Sequence, residues 1–267
     1  MTATDHATAS AITLTIAGSE TTGGAGARAD LKTFQQLGVY GITALTCIVS
    51  FNPRDNWDHR FVPIEPHVIA DQLEAIQPCY SGSLETVKLG MLGSPATIDT
   101  VAAALGTQKW RHVVLDPVLI CKGQEPGHAL DTDQALKIDL LPLATFVTPN
   151  HFEAESLSGI AIEDVQDLER AARIIHEASG AVVLAKGGVR VPGPDAVDVY
   201  YDGERAEVLS APGSAHRQGV RHGGHREPRP LDRAVRRPLA GRPPLDARPA
   251  LRPEPGPGRP GPRVAIA

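Results

Sequence analysis

Short apolar runs alternate with stretches of helical period from residue 12 to about residue 210. The runs at 12–17, 42–50, 87–89, 112–116, 146–148 and 181–185 are brief and bounded by Gly, Pro or Asn, which predicts buried strands. Between them, residues 165–178 carry Val165, Leu168, Ala172, Ile175 and Ala178 on one stripe at spacings of three and four. Asp164 and Asp167 stand near its start, where carboxylates favour the positive end of a helix. Residues 29–37 and 66–76 have the same character, and Pro66 suits a first helical turn. Strands alternating with helices imply βαβ units and a largely parallel sheet, hence an α/β fold. At 197–201 and 205–209 two further runs flank Asp202-Gly203, a hairpin signal.

Beyond Ser210 the pattern stops. Residues 211–267 hold twelve prolines, eight glycines and no aromatic residue. They carry 12 Arg, no Lys and four acids, whereas residues 1–210 carry 14 Lys/Arg against 27 Asp/Glu. The overall charge of −5 thus hides two unlike segments. The tail cannot bury enough apolar surface to offset ordering and is expected to be disordered, as are residues 1–11. Residues 12–210 are the expected folded domain. Cys47, Cys79 and Cys121 are odd in number and widely spaced, which suits reduced thiols in a cytoplasm. The start lacks a basic region followed by an apolar run, so no signal peptide is expected, and no run has membrane-spanning length.

Several strand ends carry candidate chemistry. Residues 17–26, AGSETTGGAG, join the first strand to a helix. Free N–H groups in such a loop can hold an anion, with a ligand-free glycine turn as the alternative. Asp116, at the end of an apolar strand, can hold Mg²⁺ or its water shell or simply cap a turn. Cys121 beside Lys122 is either a reactive thiol or a small buried hydrophobe. Asn150 and Glu153 can reach a magnesium-nucleotide group, or they form a helix-starting capping box. Lys186, before two glycines, can reach a transferred phosphate or stand exposed at a strand end. Trp57 and His59 can line a ring-shaped substrate or occupy a surface loop.

Taken in order, LTIAGSETTGGAGARADLKTFQQLGVYG, VKLGMLGS, VVLDPVLICKG, LLPLATFVTPNHFEAESLSG, VVLAKGG and DVYYDG resemble the pyridoxal kinase / hydroxymethylpyrimidine kinase branch of the ribokinase-like superfamily. The resemblance implies a three-layer sandwich with a mostly parallel central sheet and a small lid. It also implies ATP and Mg²⁺ as cofactors and a small heteroaromatic alcohol as substrate. Gly18, Ser19, Phe51, Met91 and Val118 then surround the alcohol with Asp30 nearby, and Cys121 in the lid meets the aldehyde of pyridoxal; His59, read from its loop, is a further candidate for the ring. Asp116 and Glu153 then stand at the metal, Asn150 and Glu153 at the nucleotide, and Lys186 steadies the transferring phosphate. The ICKG and NPRDNWDHRFVPIE runs place pyridoxal, pyridoxine or pyridoxamine ahead of hydroxymethylpyrimidine as substrate. Relatives are commonly homodimers.

The resemblance breaks after the hairpin. The family continues with a GxGC or GxGD segment that forms an anion hole and acts on the substrate hydroxyl; residues 213–222 read GSAHRQGVRH instead. The fold is therefore expected to be truncated at its C-terminal side, and the activity weak or absent. A frameshift in a GC-rich gene is the expected origin of the break. If residues 217–221 are encoded CGG-CAR-GGN-GTG-CGN, a one-base shift reads Gly, Lys or Arg, a codon open to Gly, then Cys. A nucleic-acid partner for the arginine-rich tail is not expected, because no aromatic residue or folded reader accompanies it.

Overall fold

The computed structural model describes residues 11–55, 57–119 and 126–212, with 126–130 as backbone only. Cys121, residues 1–10 and residues 213–267 lie outside these. The strands are β1 (Ile12–Glu20), β2 (Tyr40–Asn52), β3 (Asp58–Pro63), β4 (Leu84–Leu89), β5 (His112–Leu115), β6 (Phe146–Val147), β7 (Val182–Gly188), β8 (Asp195–Tyr201) and β9 (Ala206–Pro212). They form one sheet in the order β3-β2-β1-β4-β5-β6-β7-β8-β9. Pairing is parallel from β2 through β7 and antiparallel at both margins. The α/β class and the mostly parallel sheet are as the pattern predicts.

Helices join the parallel strands: α1 (Gly26–Gln36), α2 (Pro66–Cys79), α3 (Pro95–Leu105), α4 (Pro126–Ala135), α5 (His151–Ser158) and α6 (Val165–Ser179). Because the chain steps from β1 to β2 on one side and then, by way of the antiparallel β3, from β2 past β1 to β4 on the other, right-handed crossovers between parallel strands put α1 and α2 on opposite faces. Local chemistry sets the helix ends. Asp164 accepts the Asp167 N–H at 2.8 Å and Gly180 closes α6 at φ 72°. Ser94 accepts the Thr97 N–H at 3.2 Å ahead of Pro95 to start α3, as capping rules require. On α6 the buried stripe is Leu168, Ala171, Ala172 and Ile175. It meets a core whose fully enclosed side chains include Ile16, Leu89, Leu115 and Val147, each large one contributing about 1.5–3 kcal/mol.

Two differences from the sequence pattern matter for function. β1 continues to Glu20 rather than stopping at Ala17, because Ser19 and Glu20 pair with Ile48 and Val49 after a register shift at Gly18. Such an irregularity bends a strand and re-aims its side chains. β3 carries no apolar run, because it is an edge strand with most positions exposed; its pairing with β2 is what orders it. The hairpin forms as expected and β9 runs to Pro212. Among the described residues, no helix is long and apolar enough to cross a membrane.

Candidate functional site

The strand order reverses between β1 and β4, since the chain leaves β1 for β2 on one side and later returns to β4 on the other. Side chains at the carboxyl ends of parallel strands next to such a switch point face an open crevice. Here that crevice is a cavity of about 470 Å³. Its lining includes Gly18 and Glu20 from the end of β1, Lys88, Gly90 and Met91 at the end of β4, and Asp116 and Val118 after β5.

One wall is aromatic. Val49 faces Phe61 and Phe51 faces His59 across the antiparallel β2–β3 pair, and all four line the cavity. The Phe51 and His59 rings meet edge to face with centroids 4.8 Å apart, a favourable arrangement that stiffens the wall. Another part of the lining depends on close backbone approach. A Cβ on Gly18 would strike Cys47 Sγ and would come within 2.8 Å of Met91 Cε. Met91 is itself fixed, because buried Thr46 donates to its carbonyl oxygen at 2.6 Å. Burial pushes the Cys47 thiol up to about 11, outweighing the Thr46 hydrogen bond, so this cysteine packs rather than reacts.

The glycine-rich loop does not offer its N–H groups to an anion. Glu20 folds back over it, accepting the Thr22 N–H at 2.6 Å, the Thr22 hydroxyl at 2.7 Å and the Gly24 N–H at 3.1 Å. Partial burial would raise the Glu20 pKa, but these bonds outweigh it and hold the carboxyl below its ordinary value. Gly26, at φ 62°, sits against the Gly18 carbonyl, where only glycine fits.

A charged cluster lies at the ends of β5, β6 and β7. Asp116 Oδ1 accepts from Lys186 Nζ and from Thr148 Oγ1, both at 3.3 Å. The Lys186 N–H donates to the Pro149 carbonyl at 2.8 Å, which brings this lysine beside the start of α5. There Asn150 Oδ1 accepts the Glu153 N–H at 3.1 Å while Glu153 Oε2 accepts the Asn150 N–H at 2.8 Å. This is a complete capping box. Glu153 is 6% exposed, and burial first, then the Asp116 charge, pushes it up to about 7 against the hydrogen bonds of Asn150 and the charge of Lys186.

This geometry accompanies a direct family match. The sequence profile of the family described as phosphomethylpyrimidine kinase matches residues 20–223. The chain belongs to that family. A pyridoxine kinase of Bacillus subtilis is 44% identical over 203 residues, covering 74% of this chain and 73% of the relative. A hydroxymethylpyrimidine/phosphomethylpyrimidine kinase of Haemophilus influenzae is 42% identical over 175 residues, covering 66% and 64%. Among solved structures, pyridoxal kinase from Staphylococcus aureus in complex with AMP-PCP and pyridoxal superimposes with a TM-score of 0.69 at 38% identity, over 77% of this chain and 72% of that one.

In this member of the family, Gly18, Phe51, His59, Met91 and Val118 line the cavity together with Asp116. Ser19 does not: it is 5% exposed and its hydroxyl oxygen accepts from Arg28 Nε at 3.0 Å. Asp30 stands behind the lining, where Oδ2 accepts from Thr15 Oγ1 at 2.7 Å and from Lys88 Nζ at 3.0 Å. Asn150, Glu153 and Lys186 gather with Asp116 beside the cavity rather than in its wall. Trp57 is 40% exposed and lines nothing here. Sequence reasoning passed over Glu20, Phe61 and Lys88. Lys88 had a signal, a lone lysine inside the apolar run VKLG; Phe61 had none, because an exposed edge strand carries no apolar period.

Proposed function

We propose that this chain is a kinase that transfers the terminal phosphoryl group of ATP to the hydroxymethyl group of pyridoxal, pyridoxine or pyridoxamine. One observation carries the reading: an aromatic-walled cavity of about 470 Å³ has Asp116 in its lining, and Asp116 also anchors Lys186. In this reading a planar ring lies against the Phe51–His59 wall and close to Gly18 and Met91, with its hydroxymethyl group towards the charged cluster. Phosphoryl transfer asks a protein for positioning and charge neutralisation more than for covalent chemistry. Lys186, a flexible cation beside that end, is suited to the transferring phosphate; Gly18 admits the ring closely, and Asp116 orients the lysine. Asn150 and Glu153 set the start of α5 on the nucleotide side.

Among the described residues, no three His, Cys, Asp or Glu side chains gather as a metal cage. The carboxylates of Asp116 and Glu153 and the hydroxyl of Thr148 are hard oxygen donors, which fit Mg²⁺ carried with phosphates rather than enclosed by protein. When bound, that ion supplies charge neutralisation on the phosphates. Cys121 is proposed to meet the pyridoxal aldehyde, and the reaction is placed in the cytoplasm.

The second reading, a hydroxymethylpyrimidine or phosphomethylpyrimidine kinase, is favoured by the matching family description. Purified protein with Mg-ATP and each alcohol separates the two. Faster phosphorylation of pyridoxal supports the first, whereas turnover of hydroxymethylpyrimidine alone sinks it. Turnover is expected to be low, about 100–1,000-fold below a relative with an intact GxGC segment, because preorganised donors at the developing charge are worth that much. The folded domain, expected over residues 12–210, extends with β9 to Pro212, and the tail beyond it is proposed to be a shifted reading frame. Sequencing the gene across codons 205–225 tests this; an unshifted frame overturns it.

A further inference from the structure

We propose that Lys88 is a specificity-determining residue of the cavity, the cation that receives the ionised ring hydroxyl of a hydroxypyridine alcohol. The inference rests on the kinase reading above and names what that cavity selects. Lys88 is paired with Thr15 on β1 and Val114 on β5, well inside the parallel sheet. Its side chain is 22% exposed and faces the cavity. A lysine in such a place costs desolvation energy unless it is paired, and Asp30 supplies the partner at 3.0 Å from the first helix. Asp30 is held in turn by the hydroxyl of Thr15, which is fully buried.

A tie between β4 and α1 would need only that pair. Three further features point past it. Lys88 lines the cavity while Asp30 does not. An ammonium has three N–H donors, and among the described residues Asp30 is the one hydrogen-bond partner found for Lys88 Nζ. Gly90 keeps the approach open, since a Cβ there would lie 3.2 Å from Lys88 Nζ and 3.0 Å from Ala17 Cβ. The acidic side chains in the cavity lining are already engaged: Glu20 by its own loop and Asp116 by Lys186.

The ligand class follows from charge. Pyridoxal, pyridoxine and pyridoxamine carry a ring hydroxyl that ionises readily because the ring nitrogen takes up the proton. Their phenolate-like oxygen matches the two N–H donors that Asp30 leaves on the Lys88 ammonium, where a charged acceptor makes the stronger hydrogen bond. Hydroxymethylpyrimidine carries an amino group instead, which donates hydrogen bonds and gains nothing from a cation. Lys88 therefore separates the two alcohol classes, while the aromatic wall holds both rings alike.

The test measures equilibrium binding, which does not depend on turnover. Wild type, Lys88→Met and the double variant Asp30→Asn/Lys88→Met are titrated with pyridoxine, with the same pyridine lacking its ring hydroxyl, and with hydroxymethylpyrimidine. Ultraviolet absorption reports the ionisation of the bound ring, and thermal melts report folding. The double variant removes both charges together, so a stranded carboxylate does not decide the result. Loss of one charge-assisted hydrogen bond predicts affinity for pyridoxine about 10–100-fold weaker in both variants. Affinity for the other two ligands should stay within about twofold, and the ionised-ring absorption of bound pyridoxine should fall relative to wild type. Equal weakening for all three ligands in a folded variant, or no change for pyridoxine, overturns the inference while leaving the kinase reading in place. Wild-type binding of none of the three ligands overturns both.

Discussion

The two ends of the site are built on different principles. At the alcohol end, near β1 and β4, shape holds the ring and one ion pair adds selectivity: the Gly18 backbone lies against Cys47 and Met91, Phe51 meets His59 edge-on, and Lys88 is paired with Asp30. At the phosphate end, charge does the work. Asp116, Lys186 and Glu153 sit within one another's fields, and their partners are ends of parallel strands and one helix cap. A shaped pocket is complete before its ligand arrives. A charged cluster instead neutralises itself, Lys186 on Asp116 and Glu153 in its capping box, and must exchange partners when phosphates enter. One substitution should therefore damage one function and spare the other.

The largest expected separation is at Lys186. Lys186→Ala should lower kcat by about 100–1,000-fold while pyridoxine affinity, read by titration, stays within about twofold. Its thermal midpoint should hardly move, because the Lys186–Asp116 pair is 39% and 29% exposed and such pairs contribute little stability. A matching loss of pyridoxine affinity would join the two ends into one unit.

Gly18→Ala should do the reverse. The new methyl group meets Cys47 and Met91, and overpacking of this kind costs about 1–3 kcal/mol. Chemical denaturation should show that loss together with weakened pyridoxine binding, whereas nucleotide binding should persist. An unchanged pyridoxine affinity would remove Gly18 from the cavity's working surface.

The smallest effect is a pH dependence in the metal-free protein. Glu153 has a folded-state pKa pushed up to about 7 from 4.5. In acid both folded and unfolded states hold the proton and nothing is lost. As pH rises, the unfolded chain ionises first, so stability falls through this window and the loss is complete above about pH 7, on the order of 1–3 kcal/mol. Glu153→Gln keeps a capping-box side chain and should flatten that slope in thermal melts recorded from pH 4.5 to 8. An unchanged slope would mean that Glu153 is ionised in the folded protein.

The fold was legible where one dimension carries the signal. The apolar runs marked the parallel strands, and the stripe on 165–178 marked α6. Asp-Gly at 202–203 marked the hairpin. Asn150 and Glu153 were legible as a cap because a capping box is a local pattern, and both bonds are present. The glycine-rich loop misled in one respect, since nothing in AGSETTGG announces that Glu20 takes the N–H groups an anion would need. β3 and Phe61 were illegible, because an exposed edge strand is ordered by its neighbour rather than by its own period.

The sequence by itself determined the alternation of strands and helices, the caps, and the acids, amide and lysine that stand at strand ends. Those are properties of neighbouring residues, set by side-chain period and hydrogen bonding within a few positions. Only the tertiary structure decided that Lys88 meets Asp30 across 58 residues and that Lys186 meets Asp116 across 70. It also decided that the aromatic wall closes one side of the cavity. Those meetings depend on strand register and on the sense of each crossover, which place distant residues side by side only after the sheet has formed.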